Sequence, residues 1–262
     1  MLFSIVTVCY NAVNHIERTI YSVISQTSKS FDYIIIDGGS TDGTKGVIDK
    51  YRNYLTYYLS EPDRGIYDAM NKGIAAANGE YVLFLNAGDV LRDSKVIDEM
   101  ENRMKSVTST FDIFYGDVIY KYVFGEKYVP AQTLSNLKYD MVFSHQSTIV
   151  RTEILKKRCF NTAYRLAADY DFLLWAYLSG LSFCHLDMPV SMIDAAGGAT
   201  YGNFVKSRRE SYEIQCAYGG NRILCYCWYL LNISRFKLTS TIKDRFPRRL
   251  LRLLIAKRHD RE

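Results

Sequence analysis

EPDRGIYDAMNKGIAAANGEYVLFLNAGD, at residues 61–89, is the stretch that decides the fold. Its first half carries apolar residues at the spacing of a helix face, and Asn78-Gly79 then supplies the turn chemistry that ends a helix. The apolar run 81–85 follows as a strand, which ends at Asn86-Ala-Gly-Asp89. The helix-face residues are Ile66, Met70, Ile74 and Ala77. The stretch therefore predicts a helix feeding a buried strand, with polar residues at the strand's carboxyl end.

Further strands and helices precede this stretch. Residues 3–9, 33–36 and 54–59 are apolar runs of strand length. A helix is expected after the first run, with Asn14 as its N-cap and Glu17 completing a capping box. Strands that alternate with helices at this spacing indicate βαβ units, whose ligands bind beyond the carboxyl ends of the strands. The sequence therefore predicts an α/β fold with a mostly parallel, nucleotide-binding sheet flanked by helices.

The pattern becomes mixed after residue 110. A helix is expected from Asp169 to Ser179, where Gly180 ends it. The expected strands cover residues 111–115, 118–124 and 181–186, and one more opens at 144–146. We expect residues 1–205 to form one α/β domain and residues 206–262 to form a helical, basic extension.

Composition limits the class of protein. With 262 residues and 48% hydrophobic content, the chain can bury one substantial core. Its six cysteines form no CxxC pair and no Cys/His spacing typical of a zinc finger. The N-terminus enters a strand directly, without a charged leader and cleavage site, so we expect free thiols and a cytoplasmic location.

The C-terminal tail carries the positive charge. Residues 235–262 hold ten Lys/Arg against three acids, a net +7, which leaves −2 for the other residues. The apolar run 223–233 is too short to span a membrane, and the leucines and arginines that follow it predict an amphipathic helix on an anionic membrane surface. A helix packed on the domain and a homodimer contact are the alternatives. Nucleic acid is disfavoured, because the aromatic residues cluster around Trp228 and do not interleave with the basic run.

Acidic residues follow two of the predicted strands. The Asp37 carboxylate can accept a hydrogen bond from a nucleobase, while Gly38 and Gly39 let a ligand approach the backbone; the alternative is that Asp37 caps the next turn. The Asp89 carboxylate can hold Mg²⁺ or Mn²⁺ together with diphosphate oxygens, and the alternative is an ordinary turn residue. Both positions point to a nucleotide with a divalent cation.

Candidates for acid–base chemistry lie further along. Asp169 opens a helix, where the helix dipole keeps a carboxylate ionised and able to take a proton from a hydroxyl. If Asp169 only caps the helix, Asp171 can serve instead. His145 is a candidate contact to an acceptor or phosphate, although a half-buried strand histidine is favoured. His185 alternates with apolar residues and is interpreted as structural.

Four blocks of sequence, taken together, resemble the family 2 glycosyltransferases, and more narrowly their bacterial polysaccharide and colanic-acid-type members. The resemblance covers roughly residues 3–200 and implies a GT-A fold, a nucleotide-sugar donor, a divalent metal and inversion at the anomeric carbon. The blocks are SIVTVCYN at 4–11, IIIDGGSTDGT at 34–44, the stretch 61–89, and ADYDFLLWA at 168–176.

The resemblance implies roles for individual positions. It assigns Asp89 to the metal and Asp169 to the catalytic base. The positions that it assigns to the nucleotide sugar are Tyr10, Asn11, Asp37, Arg64, Asp68 and Asn71. Two residues depart from the family pattern. Asn86 replaces the first acid of the metal motif, and Ala168 replaces the Glu of a Glu-Asp pair. Asn86 is kept as a nucleotide-sugar contact. Gly197-Gly198 with Thr200 resembles a loop that closes over the donor, and an ordinary loop is the alternative.

Three hypotheses follow. The first is an inverting glycosyltransferase that moves a sugar, by default from UDP, to a hydroxyl of a glycan or lipid-linked acceptor for a cell-surface polysaccharide, at the cytoplasmic face of the inner membrane. The second is a nucleotidyltransferase, disfavoured because residues 10–14 lack a glycine-rich loop with Lys or Arg. The third is a non-catalytic scaffold of an assembly complex, which Asn86 and Ala168 keep open. The first requires the carboxylates at positions 37, 89 and 169 to meet around one pocket.

Overall fold

The N-terminal half of the sheet is parallel, as predicted. The computed structural model describes residues 1–122, 125–194 and 203–245, with side chains to residue 238. Strands β1 (Phe3–Cys9), β2 (Phe31–Asp37), β3 (Tyr57–Ser60) and β4 (Tyr81–Asn86) lie in the order β3-β2-β1-β4. All three pairings among these strands are parallel, and every residue of β1 is buried. A continuous apolar run is typical of a strand covered on both faces.

The second half of the sheet is mixed. Its strands are β5 (Val90–Leu91), β6 (Ile113–Tyr122), β7 (Gly125–Val129), β8 (Thr148–Arg151) and β9 (Phe183–Asp194). The sheet continues in the order β4-β8-β6-β9-β5, and β7 pairs with β6. Among the described strands, β8 is antiparallel to both β4 and β6, whereas β6 and β9 are parallel.

Strand β6 is one strand where the sequence predicted two. Gly116 lies at the predicted break, and an added Cβ there would come within 2.6 Å of the Met188 carbonyl oxygen. The absence of a side chain therefore lets β9 pass close by, and the ladder continues after a register shift between Tyr115 and Asp117.

Helices flank the sheet. They are α1 (Ile16–Ile24), α2 (Thr44–Asp49), α3 (Ile66–Ala76), α4 (Val96–Ser106), α5 (Thr152–Lys157) and α6 (Ala168–Leu178). In the described part of the chain, 3₁₀ turns cover Arg52–Tyr54, Leu134–Lys138 and His145–Ser147. Apolar residues of α1 and α4 pack with the inward residues of β1, β2 and β4 in one core. Burying each large aliphatic side chain stabilises the fold by roughly 1.5–3 kcal/mol.

The predicted capping box of α1 is wrong. The helix begins at Ile16, its N-cap is His15, and no side chain caps it. The Ile16 N–H instead donates to the Ala12 carbonyl (2.9 Å), and Glu17 accepts a hydrogen bond from the Tyr51 hydroxyl (2.9 Å). A backbone hydrogen bond to the preceding loop therefore replaces the expected side-chain cap, and Glu17 binds the distant Tyr51.

The chain divides into two compact units, Met1–Gly202 and Asn203–Glu262. The second unit contains α7 (Phe204–Ala217) and α8 (Arg222–Arg245), and the rings of Phe204 and Phe236 stack 4.2 Å apart between these helices. No helix among the described residues is long and apolar enough to cross a membrane. The predicted loop at 197–200 and the basic segment 246–262 lie outside the described residues.

Candidate active site

The loops after β1 and β2 are joined by hydrogen bonds at the carboxyl edge of the sheet. The Asn11 N–H donates to the Ser40 hydroxyl (2.7 Å), and the Thr41 N–H donates to Asn11 Oδ1 (3.0 Å). Asn11 has a φ of 46°, a left-handed conformation that asparagine tolerates better than most residues. Tyr10 lies beside this junction with 63% of its surface exposed, so its ring is available to a ligand.

Asp37 is fully buried, and its carboxylate is already bound within the protein. Oδ2 accepts hydrogen bonds from the Ser40 N–H (3.0 Å) and the Ser60 hydroxyl (2.6 Å), while Oδ1 accepts from the Ser40 hydroxyl and the Cys9 thiol. Burial, together with the neighbouring Asp37 charge, raises the pKa of Cys9. These contacts favour the alternative that Asp37 shapes its turn, and its contact with a nucleobase stays a prediction.

Gly38 and Gly39 allow residues 61–63 to pack on this turn. A Cβ at Gly38 would lie 2.2 Å from a carboxyl oxygen of Asp63. Gly39 has a φ of +82°, and a Cβ there would lie 3.1 Å from the Pro62 nitrogen. The two glycines thus bring the segment that leads into α3 against the carboxyl edge of the sheet.

The first turns of α3 carry the predicted diphosphate contacts. The Arg64 side chain is 83% exposed and pairs with Asp68 (3.2 Å), and Lys72 lies 3.8 Å from the same carboxylate. The Arg64 N–H and guanidinium hold the pKa of Asp68 below its usual range. Asn71 binds both the N–H and the carbonyl of Phe160 (2.9 Å each), so its amide supports that segment. Arg64 is therefore the more accessible candidate for an anionic ligand.

Asn86 is the last residue of β4, and Asp89 follows three residues later. Asp89 is 7% exposed, its Oδ2 accepts a hydrogen bond from Gln146 Nε2 (2.9 Å), and its carbonyl accepts one from the Thr19 hydroxyl (2.7 Å). Burial raises the pKa of Asp89, although the Gln146 hydrogen bond and the charges of nearby basic residues oppose it. Asn86 Nδ2 lies 3.3 Å from His145 Nε2, and Asn86 Oδ1 is buried without a partner among the described residues.

Asp169 lies in the first turn of α6. Its Oδ1 accepts hydrogen bonds from the Tyr67 hydroxyl (2.8 Å) and the Tyr170 N–H (2.9 Å), and its Oδ2 lies 3.1 Å from His145 Nδ1. Burial would raise the pKa of Asp169, but the contacts with His145 and Tyr67 outweigh it and hold the pKa below its usual range. The alternative that Asp169 is only a cap is wrong, because Ala167 is the N-cap. Asp169 is therefore ionised at neutral pH, and its role as a base stays a prediction.

Asp171 and His185 occupy structural positions. Asp171 is 4% exposed and pairs with Arg158 (3.1 Å), which favours a structural role for Asp171 over contact with an acceptor. His185 Nε2 lies 2.8 Å from Asp117, a buried carboxylate on β6. The interpretation of His185 as structural fits this geometry.

The turn His145–Ser147 contacts both the end of β4 and Asp169. His145 contacts Asn86 and Asp169, and its neighbour Gln146 binds Asp89. The sequence favours a half-buried strand histidine at position 145, with contact to an acceptor or phosphate as the alternative, and it did not predict the contact with Asp169. Gln146 was missed altogether, although the run of polar residues at 144–147 before an apolar strand was a signal. Asp37 ends a strand two positions from β4 in the sheet, about 10 Å away along that edge.

The ligands at the end of β4 fit a hard divalent cation. Asn86 offers a buried carbonyl oxygen without a partner, and Asp89 offers a carboxylate. The described residues contain no group of three His, Cys, Asp or Glu that could hold a metal ion. Mg²⁺ is commonly bound by one or two carboxylates together with substrate phosphates, so two protein oxygens suffice where a diphosphate completes the site.

Comparison with known proteins identifies the family. The sequence profile of the family described as Glycosyl transferase family 2 matches residues 4–159, more than half of the chain. The chain belongs to this family. It is a glycosyltransferase, and the nucleotidyltransferase hypothesis is set aside.

Curated relatives agree with this assignment. The PGL/p-HBAD biosynthesis glycosyltransferase of Mycobacterium bovis is 30% identical over 175 residues, covering 65% of this chain and 68% of the relative. The putative teichuronic acid biosynthesis glycosyltransferase TuaG of Bacillus subtilis is 35% identical over 109 residues, covering 40% of this chain and 42% of TuaG.

Solved structures confirm the predicted GT-A fold. Residues 1–349 of S. aureus TarS in complex with UDP match with a TM-score of 0.64 at 23% identity, over 82% of this chain. The match covers 65% of that TarS chain, less than two thirds of its length. A mannosyltransferase from Pyrobaculum calidifontis in complex with GDP-Man and Mn²⁺ matches with a TM-score of 0.65 at 14% identity, over 98% of this chain and 79% of that chain.

Proposed function

We propose that this glycosyltransferase moves a sugar from a nucleoside diphosphate sugar to an acceptor hydroxyl with inversion at the anomeric carbon. One observation carries the proposal. His145 contacts the ionised carboxylate of Asp169. The next residue, Gln146, contacts the carboxylate of Asp89 at the end of β4. A proton acceptor and an anion-neutralising site are the two groups that direct displacement of a diphosphate requires.

The donor would lie along the carboxyl edge of the sheet. The exposed ring of Tyr10 offers a flat surface to the base, and the Asn11 and Gly39 loops leave backbone groups beside it. Arg64, at the start of α3, would approach the diphosphate, with Asp68 orienting its guanidinium. Asn86 and Asp89 would hold a divalent cation, Mg²⁺ or Mn²⁺, which when bound neutralises charge on the leaving diphosphate.

Asp169 would act as the base. Its carboxylate takes the proton of the acceptor hydroxyl while that oxygen forms a bond to the anomeric carbon. The bond from this carbon to the diphosphate oxygen breaks, and the nucleoside diphosphate leaves with the electron pair. Because attack and departure occur on opposite faces of the sugar, a single displacement inverts the configuration.

The comparisons support a more specific proposal for the donor nucleotide and the acceptor. TarS structures include complexes with UDP and with UDP-GlcNAc, and the Pyrobaculum enzyme was solved with GDP-Man. We propose UDP as the first nucleotide to test and GDP as the second. The relatives named for PGL/p-HBAD and teichuronic acid biosynthesis favour a glycan or lipid-linked acceptor in cell-surface polysaccharide biosynthesis.

The second unit supports a location at a membrane surface. Helix α8 has apolar side chains that are exposed, and the basic segment follows it in the sequence. The exposed apolar residues of α8 are Ile223, Leu224, Tyr226, Trp228, Leu230, Leu231 and Leu238. We propose that this unit binds the anionic cytoplasmic face of the inner membrane, where lipid-linked acceptors are found.

A donor screen tests the proposal. The full chain is incubated with UDP-, GDP- and dTDP-sugars in the presence of Mn²⁺ and of Mg²⁺, with and without glycan acceptors. We expect slow release of free nucleoside diphosphate from one donor class and, on transfer, a product whose anomeric configuration is opposite to that of the donor by NMR. Retention would refute the displacement step. Metal-dependent nucleotide binding without turnover on any acceptor would favour the scaffold hypothesis.

A further inference from the structure

The turn His145–Ser147 has a fixed position in the fold. The Ser147 N–H donates to the Ser144 carbonyl (3.0 Å), and the Ser147 hydroxyl lies 2.8 Å from the Ser191 hydroxyl on β9. The Thr148 hydroxyl donates to the same Ser144 carbonyl (2.8 Å), and Ser147 is fully buried. The turn is therefore held by β9 and by the first residue of β8, independently of the groups that it contacts in the site.

Each of the first two residues of the turn contacts a different part of the site. His145 Nδ1 lies 3.1 Å from Asp169 Oδ2, and His145 Nε2 lies 3.3 Å from Asn86 Nδ2. Gln146 Nε2 donates to Asp89 Oδ2 at 2.9 Å. Two adjacent residues thus connect the proposed base with both proposed cation ligands.

The hydrogen-bonding capacity of His145 determines which atom of Asn86 remains free. Asn86 Nδ2 can only donate a hydrogen bond, so the Nε2 of His145 that faces it is the acceptor and the ring N–H lies on Nδ1, toward Asp169 Oδ2. Nε2 takes the Asn86 amide N–H, which leaves Asn86 Oδ1 buried without a described partner. His145 therefore orients Asp169 and turns the Asn86 carbonyl oxygen toward any cation bound there.

Gln146 is itself oriented. The Ser144 hydroxyl donates to Gln146 Oε1, which leaves the amide N–H of Gln146 to face Asp89. This N–H donates a hydrogen bond to Oδ2 of Asp89. No described residue donates a hydrogen bond to Oδ1 of Asp89. Ser144 and Gln146 thus hold the carboxylate with one oxygen available to a cation.

We infer that His145 and Gln146 are positioning residues that keep the base and the cation ligands in one relative geometry. The inference rests on the proposed function, because it assigns roles within that site. Neither side chain reacts. A misplacement of about 1 Å in such a site can cost about 10²-fold in rate, so the fixed turn has a direct consequence for turnover.

Two substitutions at His145 separate its two contacts. The side-chain amide of asparagine reaches the position of Nδ1, and that of glutamine reaches the position of Nε2. His145→Asn retains a donor to Asp169, whereas His145→Gln loses it. At saturating donor and Mn²⁺, we expect kcat to fall about 10²-fold more in His145→Gln than in His145→Asn. His185→Asn and His185→Gln, at the other His–Asp pair, are matched controls that should show no such difference.

Gln146→Met removes the donor to Asp89 while conserving side-chain volume. We expect the Mn²⁺ concentration that half-saturates the nucleoside-diphosphate complex to rise about 10- to 100-fold, as for other residues that orient metal ligands. Electron paramagnetic resonance of free Mn²⁺ in the presence of UDP or GDP measures this directly, without turnover. At saturating Mn²⁺, kcat should return to near the wild-type value.

Two results would overturn the inference. Equal losses of kcat in His145→Asn and His145→Gln, together with matching losses of thermal stability, would show that His145 only supports the fold. An unchanged Mn²⁺ half-saturation in Gln146→Met would remove Gln146 from the role. Wild-type turnover is measured first. If the wild type turns over no donor, the proposed function fails, while the Mn²⁺ titration of Gln146→Met still decides the role of Gln146.

Discussion

At the scale of single residues, the surroundings of a carboxylate decide what it can do. Asp37 is fully buried, and the Ser40, Ser60 and Cys9 side chains occupy its oxygens. Asp169 also accepts several hydrogen bonds, but its side chain stays 13% exposed and its pKa is held low by His145 and Tyr67 against the effect of burial. The first environment stabilises a turn, and the second leaves an ionised carboxylate that is partly exposed.

Asp117 gives a prediction about stability and pH. It is 1% exposed and accepts hydrogen bonds from the Tyr128 hydroxyl, the Ala131 N–H (2.8 Å) and His185 (2.8 Å). Burial would raise the pKa of Asp117, but these contacts outweigh it and lower the pKa. A lowered folded-state pKa means stabilisation that is complete above the unfolded value, near 4, and lost as the pH falls through the folded value.

We therefore expect Asp117→Asn to lower the free energy of unfolding at pH 7 by roughly 1–3 kcal/mol, with a smaller difference from wild type near pH 3. Urea denaturation of both proteins at several pH values measures this. The same variant should lower the pKa of Tyr128, which the contact with Asp117 raises to about 12. A difference in stability that does not change with pH would contradict this account of Asp117.

At the scale of helices and strands, the sequence predicted those elements that are determined by residues close together in the chain. The apolar runs of β1 and β4 and the helix face of α3 lie where the sequence places them. The start of α1 was mispredicted because the Ala12 N–H donates to Thr44 (2.8 Å), a contact 32 residues distant that fixes the preceding loop. The break expected in β6 is absent because Gly116 lets β9 pass closely, which depends on a strand far along the chain.

Helix α8 gives the prediction that belongs to this scale. We expect the full chain to bind vesicles that contain anionic lipids and not neutral ones, with binding that weakens as salt rises. Leu230→Glu combined with Leu231→Glu should weaken binding about 10-fold or more, because the charges cannot enter the apolar layer. Leu178→Glu, at an exposed leucine of α6, is the matched control. Equal sedimentation of wild type and the α8 double variant would refute membrane binding through this helix.

At the scale of the whole molecule, the two halves of the sheet differ in how far the sequence predicts them. The parallel half follows from repeated strand–helix units. The mixed half depends on β8, which inserts between β4 and β6 in antiparallel orientation. That insertion carries His145 and Gln146 to the end of β4, about 60 residues earlier in the chain. Motifs therefore located Asn86, Asp89 and Asp169, whereas the contacts that join them required the tertiary structure.

The central claim is that Asp169 takes the proton of the acceptor hydroxyl in a site that binds the donor independently. Steady-state transfer by Asp169→Asn, with nucleoside-diphosphate affinity measured on the same protein by calorimetry with Mn²⁺, tests it most directly. Asp171→Asn, the same substitution on the same helix at a residue paired with Arg158, is the control. We predict a fall in kcat of roughly 10²–10⁴-fold for Asp169→Asn at nearly unchanged affinity, and near-normal kcat for folded Asp171→Asn. Near-normal transfer by Asp169→Asn would contradict the claim.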